Sequence, residues 1–219
     1  MKNELRKRIF TSIFLLLLLL LMFLYTFVLI VSLIIIALIA WVEFYALISK
    51  IFKKNNYKER TLKFLFKLST LIYLSYIVFV ILFVMLGNPG LEVVFIYTIL
   101  VSVMSDIGGL VVGKTFRGKK LTKISPNKTI SGSLGSFAFS FCLVPIFIQL
   151  NLFSYNYLLL FVSTFIISFS SQTGDLIISL LKRKAKVKNT SDLLPGHGGI
   201  LDRIDGIIFA IPIGFLLLI

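Results

Sequence analysis

Residues 9–49 read IFTSIFLLLLLLLMFLYTFVLIVSLIIIALIAWVEFYALIS, an apolar run with few polar interruptions. A transmembrane helix needs about 20 apolar residues. The run is therefore too long for one span and long enough for two spans joined by a tight turn. Because a bilayer leaves no water to satisfy exposed backbone groups, this run indicates an all-α membrane protein.

The rest of the 219-residue chain continues the pattern, with 58% hydrophobic residues and a mean hydropathy of +1.01. Gly87-Asn88-Pro89-Gly90 and the polar break Ser154-Tyr155-Asn156 have the composition of turns. The single cysteine, Cys142, excludes an internal disulfide. The first apolar run lacks a signal-peptide cleavage site, so we expect it to be retained. We predict seven spans, at about Ile9–Thr26, Val28–Ser49, Phe64–Leu86, Leu91–Val112, Leu134–Leu152, Tyr155–Leu181 and Ile204–Ile219.

The net charge of +14 is distributed in a way that argues against nucleic acid as a partner. All 23 Lys and Arg residues lie in four clusters beside apolar runs, at residues 2–8, 50–67, 114–128 and 182–203. This is the positive-inside pattern of membrane proteins. Seven spans would place all four clusters on one side, with the N-terminus in the cytoplasm and the C-terminus outside.

Three acids, Glu43, Asp106 and Asp175, lie inside predicted spans, each seven or eight residues before a cation. At about 1.5 Å per residue, each lies roughly 10–12 Å below the cytoplasmic end of its helix. Charged groups at membrane depth are costly and usually functional. We expect the three acids to face a shared polar cavity, while for Glu43 a bond to a neighbouring helix alone is equally open.

The stretch from Ser179 to Asp205, SLLKRKAKVKNTSDLLPGHGGILDRID, carries the strongest chemical signal. Its cations can hold phosphate, its glycines permit close backbone approach, and Asp202 and Asp205 can hold a metal. Phosphoryl or nucleotidyl transfer onto a lipid requires this combination at a membrane surface. His197 has three open roles: contact with phosphate, action as a base, or ordering of the loop.

Three blocks of residues carry a resemblance to a known family. They are Ser179, Lys182, Arg183, Lys188, Pro195-Gly196-His197-Gly198-Gly199, Asp202, Arg203 and Asp205; Ser171, Gln172, Gly174 and Asp175; and Gly113, Lys114, Gly118, Lys119, Leu121, Ser125, Pro126, Lys128, Thr129 and Gly132. These blocks resemble the phosphatidate cytidylyltransferase family, whose members are also called CDP-diacylglycerol synthases. The chain departs from the family pattern in three places: Asn189 replaces an aspartate, Ser131 replaces a glutamate, and Ile107-Gly108-Gly109-Leu110 replaces a stretch of small and aromatic residues.

The resemblance implies an enzyme of phospholipid biosynthesis that transfers CMP from CTP to phosphatidic acid, giving CDP-diacylglycerol and pyrophosphate. It implies Mg²⁺ as cofactor, a multi-pass protein of the inner cell membrane with its active site facing the cytoplasm, and a homodimer. The catalytic residues implied are Asp175, Asp202, Asp205, Lys182 and Arg183, with the three aspartates as metal ligands. The substrate-binding residues implied are Ser125, Lys128, Thr129, Lys188, His197 and Arg203.

With this reading, we divide the chain into two parts. Residues 1–63 form an N-terminal transmembrane hairpin with a basic cytoplasmic loop. Residues 64–219 form a transmembrane catalytic region with cytoplasmic loops at 113–133 and 182–203. Three alternatives stay open: the same CTP chemistry on archaetidate or a polyprenol, an ion-conducting protein that uses the intramembrane acids, and a non-catalytic membrane protein.

The charge distribution generates a prediction about topology. Single cysteines placed at Gly87 and at the C-terminus, in a Cys142→Ser background, should react with a membrane-impermeant maleimide added from outside intact cells. A cysteine at Lys119 should react only after the membrane is permeabilised. Protection of either of the first two positions in intact cells contradicts the seven-span arrangement.

Overall fold

The structure is a computed structural model that describes residues 2–53, 56–87, 90–122, 125, 128–152 and 156–219. The side chains of residues 2–5, 7 and 8 are not among those described. Parts of four sequence features therefore lie outside the described residues. These parts are Lys54 of the second basic cluster, Asn88 and Pro89 of the first turn, Lys123 and Pro126 of the third basic loop, and Ser154 and Tyr155 of the second turn.

Within the described residues the secondary structure is helical, with two isolated β-bridges and no strand. This confirms the all-α class. The apolar run at residues 9–49 divides into two helices that pack together, with Tyr25 in an extended conformation between them. The helices are α1 Lys2–Leu24, α2 Thr26–Ile51, α3 Tyr57–Gly87, α4 Leu91–Phe116, α5 Ile130–Phe141, α6 Leu143–Gln149, α7 Tyr157–Lys184, α8 Leu201–Ile204 and α9 Ile207–Leu218.

Five stretches of helix in the described residues are long and apolar enough to cross a membrane. They coincide with the second to sixth predicted spans, which supports a polytopic membrane protein. The apolar part of α1, Ile9–Leu24, is shorter, and α9 has 12 residues. At 1.5 Å per residue, α9 is about 18 Å long, less than the ~30 Å hydrocarbon core of a bilayer. The first and last predicted spans are thus helices, but shorter than a full span, and their orientation stays a prediction.

The chain divides into two compact units, and the first comprises residues 1–82 and 181–204. In this unit α2 packs against α1 and against the short α8. Trp41 on α2 donates its indole N–H to the carbonyl of Lys67 on α3 at 3.1 Å. The Lys67 ammonium lies 3.0 Å from the centre of the Tyr45 ring. α2 therefore contacts both neighbouring helices and α8. We call residues 190–201, which lead into α8, the motif segment.

The second unit comprises residues 83–180 and 205–219. Here α4 packs against α5 and α9, and paired hydroxyl groups join α4 to α7. Ser102 and Ser171 lie 2.7 Å apart through their Oγ atoms, and Ser168 donates to Ser105 at 3.1 Å. Such pairs hold helices together in lipid, where the hydrophobic effect between helices is absent.

Glycines bring α4 and α5 into backbone contact. A Cβ atom at Gly108 would overlap the carbonyl oxygen of Gly135, and one at Gly135 would overlap the Val112 side chain. Both obstacles sit on packed helices, where neither can move freely. The sequence of small residues along α4 thus fixes the distance between these two helices.

We predict that Gly108→Ala lowers the free energy of unfolding by about 1–3 kcal/mol, the usual cost of overpacking. Gly87→Ala is the matched control because an added Cβ there meets nothing within 4 Å. The measurement is the thermal midpoint of helix loss in detergent, followed by circular dichroism. Equal midpoints for the two variants would contradict the close approach.

Candidate active site

The end of α7 presents the basic cluster of the C-terminal motif. The N–H of Lys186 donates to the carbonyl of Arg183 and the N–H of Val187 to that of Lys182, both at 3.0 Å. Lys186 has a φ of 57°. These bonds form the Schellman motif that closes helices, although glycine usually occupies the left-handed position. Arg183 and Lys188, two of the predicted site residues, are exposed on either side of this turn.

The Pro-Gly-His-Gly-Gly segment forms a tight turn. Leu194 and Gly198 exchange backbone hydrogen bonds of 2.8 and 3.1 Å. Gly196 and Gly198 have φ angles of 77° and 87°, a region that residues with a Cβ rarely adopt. Thr11 on α1 donates its hydroxyl to the carbonyl of Pro195 at 2.9 Å. The turn is therefore held both by its own backbone and by the first helix.

His197 and Arg203 brace the same turn. The Arg203 guanidinium donates through Nε, at 3.1 Å, and through Nη2 to the carbonyl of His197. The imidazole Nε2 of His197 lies 3.5 Å from the Ser12 hydroxyl. Arg203 contacts the backbone carbonyl of His197, which any residue would offer, so all three roles of the imidazole stay open. The predicted phosphate contacts of both residues stay predictions.

Asp202 is the acceptor for four donors. Its Oδ1 accepts from the Lys182 ammonium at 2.7 Å, and its Oδ2 from the Thr190 N–H at 2.8 Å, the Thr190 hydroxyl at 3.0 Å and the Gly199 N–H at 3.1 Å. The side chains of Asp202 and Lys182 are 7% and 14% exposed. Burial opposes ionisation, but these hydrogen bonds outweigh it and hold the pKa of Asp202 below its ordinary value of 3.8.

Asp175 on α7 forms an ion pair with Lys128, which belongs to the third basic loop. Asp175 also accepts a hydrogen bond from Ser179 at 3.3 Å. The residue after Lys128, Thr129, is the N-cap of α5 and accepts from the Gly132 N–H at 3.1 Å. Two motif blocks that are far apart in the sequence thus meet in the second unit. Asp106 interacts electrostatically with both members of the pair.

Two further predicted residues have mainly backbone contacts. Asp205 accepts from the N–H of Gly206 at 3.0 Å. Its carbonyl lies against Gly174, where an added Cβ would come within 2.6 Å of it. This contact brings Asp205 next to the turn of α7 that carries Asp175. The carbonyl of Ser125 accepts from the N–H of Lys128 at 3.1 Å, which holds Lys128 in its loop.

The donor chemistry of Asp175, Asp202 and Asp205 bears on whether they could form a magnesium site. Mg²⁺ prefers oxygen ligands and usually takes one or two carboxylates together with substrate phosphates. All three aspartates offer such oxygens, but Lys128 and Ser179 contact the two carboxylate oxygens of Asp175, and protein donors likewise occupy both oxygens of Asp202. In the part of the chain that the structure describes, no group of three or more His, Cys, Asp or Glu side chains could hold a metal ion. The three-aspartate metal site stays a prediction.

Sequence reasoning missed four hydroxyl residues near the motif segment. Thr190 and Ser191 lie in the segment and contact Glu43, whereas Thr11 and Ser12 on α1 contact Pro195 and His197. Glu43 contacts the motif segment rather than a neighbouring long helix. Thr190 and Ser191 were visible as hydroxyl groups inside the motif segment, but their partners depend on the folded chain. The expected cavity shared by Glu43, Asp106 and Asp175 stays a prediction.

A comparison with protein families accounts for these motifs. The model of the cytidylyltransferase family matches residues 1–219. The chain belongs to the cytidylyltransferase family. This membership rests on the sequence of the whole chain and not on the individual contacts described above.

Curated relatives of the chain are named phosphatidate cytidylyltransferase. The Bacillus subtilis (strain 168) protein is 40% identical over 134 residues, which are 61% of this chain and 49% of the relative. The Rickettsia felis protein is 41% identical over 119 residues, 51% of this chain and 52% of the relative. The Staphylococcus haemolyticus protein is 42% identical over 137 residues, which are 60% of this chain and 51% of the relative. The chain spans about half the length of the curated relatives it matches.

We predict that Asp202→Asn lowers the free energy of unfolding by about 3 kcal/mol at pH 7, because Lys182 loses the partner of a buried ion pair. The lowered pKa of Asp202 means that this contribution is complete above pH 3.8 and is lost as the pH falls from 3.8 through the folded-state pKa. The measurement is the difference in thermal midpoint between wild type and variant across this pH range.

Asp192→Asn is the control for that measurement, since Asp192 is exposed in the same segment. It should leave the midpoint at its wild-type value at every pH. A difference between Asp202→Asn and wild type that does not shrink in acid would contradict the assignment of the stabilisation to ionised Asp202.

Proposed function

We propose that this protein is a phosphatidate cytidylyltransferase, which transfers CMP from CTP to phosphatidic acid and releases pyrophosphate. The observation that carries the proposal is the ion pair between Lys128 and Asp175. It joins two separate motif blocks, one basic and one acidic, as binding of a phosphate-rich substrate with a metal requires. Family membership and the names of the relatives support the same reaction.

In this reaction a phosphate oxygen of the lipid attacks the α-phosphorus of CTP. The new P–O bond forms as the bond from the α-phosphorus to the bridging oxygen of the β-phosphate breaks, and pyrophosphate leaves. The protein needs no nucleophile of its own. Its task is to position two anions and to stabilise the charge that develops between them.

The charged residues have distinct parts in this proposal. Lys182, Arg183, Lys188 and Arg203 offer cations for the triphosphate or the lipid phosphate. Lys128, with Ser125 and Thr129, offers a second phosphate contact at the start of α5. Lys128 and Lys182 each neutralise an aspartate in this structure, so either cation can turn to a phosphate once another positive charge takes over its acid.

Mg²⁺ is part of the proposal as the implied cofactor. Asp175, Asp202 and Asp205 would hold it, once Asp175 releases Lys128 and Asp202 releases Lys182. Bound there, the ion would neutralise charge on the phosphates. The proposed enzyme lies in the inner cell membrane with these loops facing the cytoplasm, where CTP is available, while phosphatidic acid enters from the bilayer. The homodimer stays an expectation from the resemblance.

The proposal predicts CDP-diacylglycerol formation by purified protein in mixed micelles with CTP, phosphatidic acid and Mg²⁺. Asp175→Asn, Asp202→Asn and Asp205→Asn should each cut turnover on the order of 100-fold, because charge stabilisation in the transition state is lost. Asp192→Asn is the exposed control. Near wild-type turnover in all three variants at low Mg²⁺ would exclude this site.

The same assay separates the alternatives. Product from archaetidate or a polyprenol, with none from phosphatidic acid, would assign the CTP chemistry to another lipid. If purified wild type forms no CTP-dependent product on any of these lipids, the proposal fails in favour of a non-catalytic or ion-conducting protein.

A further inference from the structure

Glu43 on α2 is a buried acid, 4% exposed, surrounded by donors from one short segment, residues 190–201. Its Oε1 accepts from the Ser191 hydroxyl at 2.6 Å and the Ile200 N–H at 3.0 Å. Its Oε2 accepts from the Thr190 hydroxyl and the Leu201 N–H, both at 2.8 Å. One side chain of a membrane-spanning helix thus binds both ends of the motif segment.

The backbone supplies two fixed donors to Glu43. Two of its four partners are backbone N–H groups, which can only donate, and each carboxyl oxygen accepts one of them. Within the described residues, no ion pair involves Glu43. The hydrogen bonds from residues 190–201 therefore satisfy carboxyl oxygens that would be costly to bury without partners.

Thr190 connects Glu43 to Asp202. Its hydroxyl lies 2.8 Å from Oε2 of Glu43 and 3.0 Å from Oδ2 of Asp202, and its N–H donates to Asp202. Asp202 in turn holds the Lys182 ammonium. A continuous series of hydrogen bonds therefore leads from Glu43 on α2, through Thr190 and Asp202, to Lys182 at the end of α7.

Gly199 shows how closely the segment lies on Glu43. A Cβ atom at this position would come within 2.5 Å of Oε2 and 2.6 Å of Oε1 of Glu43, and would overlap the Thr190 hydroxyl. A glycine is needed here because the backbone passes directly over the carboxylate. A change in the position of Glu43 would therefore move the backbone of the motif segment.

We infer that Glu43 is a positioning residue, which sets the conformation of residues 190–201 and, through Thr190, the placement of Asp202 and Lys182. The inference deepens the proposed function, on which its catalytic consequence rests. Glu43 touches no substrate in this account. It acts through the segment whose residues do.

Glu43→Gln tests the inference with little change in size. The amide retains one acceptor oxygen, but its NH₂ group must face a backbone N–H, of either Ile200 or Leu201. Glu92→Gln is the matched control, since Glu92 is exposed in the first turn of α4. Neither substitution changes the number of non-hydrogen atoms in the side chain, so a difference between them reports the environment of Glu43.

Limited trypsin digestion of the detergent-solubilised full chain gives a readout that needs no activity. Cleavage after Lys186 and Lys188, mapped by mass spectrometry, should become about tenfold faster in Glu43→Gln, because cleavage follows the population of opened segment. Cleavage after Lys119 and Lys120 in the other basic loop is the internal reference and should not change. Glu92→Gln should match wild type at all four sites.

Steady-state kinetics then separate positioning from a general loss of folded enzyme. A general loss lowers the maximum rate and leaves KM unchanged, as expected for Gly108→Ala. Displaced Lys182 and Asp202 should raise KM for CTP about tenfold in Glu43→Gln, because binding to the phosphates is weakened. Thr190→Val should share part of this effect, and the double variant should fall short of the product of the two single effects.

Each result decides the inference. Wild-type cleavage in Glu43→Gln overturns it. Faster cleavage with an unchanged KM also overturns it, because Glu43 would then hold the segment without affecting the site. If wild type forms no CDP-diacylglycerol while cleavage still responds to Glu43→Gln, the proposed function fails and the control of the segment by Glu43 stands.

Discussion

A carboxylate buried in a membrane protein must be surrounded by hydrogen-bond donors, and the motif segment meets this requirement twice. Glu43 and Asp202 each have four polar contacts, with the Thr190 hydroxyl shared between them, and most of the donors lie between residues 190 and 201. The segment has little regular secondary structure of its own, so its backbone groups need partners elsewhere. The two acids provide them, and in doing so they determine the path of the chain.

In the second unit, buried polar groups are also satisfied by hydrogen bonds, but these groups are neutral hydroxyls. Ser102, Ser105, Ser168 and Ser171 are fully buried and satisfy one another across α4 and α7. Glycines at the contact of α4 with α5 let the helix backbones approach, and no charge is needed in either place. The ion pair of Lys128 with Asp175 is partly exposed, with side chains 28% and 26% accessible. Under the proposed function this partial exposure would let the pair exchange partners with a substrate, whereas Asp202, 7% exposed, would have to give up more protein contacts to do so.

Hydropathy predicted the helices because it depends on local composition. Run length and turn composition predicted the five full-length spans and a break between Thr26 and Val28, close to the observed break at Tyr25. The turn-forming glycines marked where the PGHGG segment would bend. The length of the last helix was overestimated because the sequence after Asp205 is uniformly apolar while the Asp205-Gly206 turn lies inside the predicted span. The partners of Glu43 could not be predicted, since an acceptor in α2 and donors near residue 200 share no local pattern. The same limit applies to the contact of Arg203 with the carbonyl of His197, which no local pattern indicates; the phosphate role of Arg203 stays a prediction.

The requirement for glycine at position 199 depends on Glu43, a residue far away in the sequence. This dependence bears on how the sequence can diverge. The lack of a side chain at Gly199 is imposed by the carboxylate of a residue in the second helix, while the φ of Gly199 lies outside the positive range. Substitutions at the two sites are therefore not independent of each other. A lineage that shortened the acid would open space over the backbone and relax the demand for glycine, so the two positions should change together during evolution although the turn itself is retained.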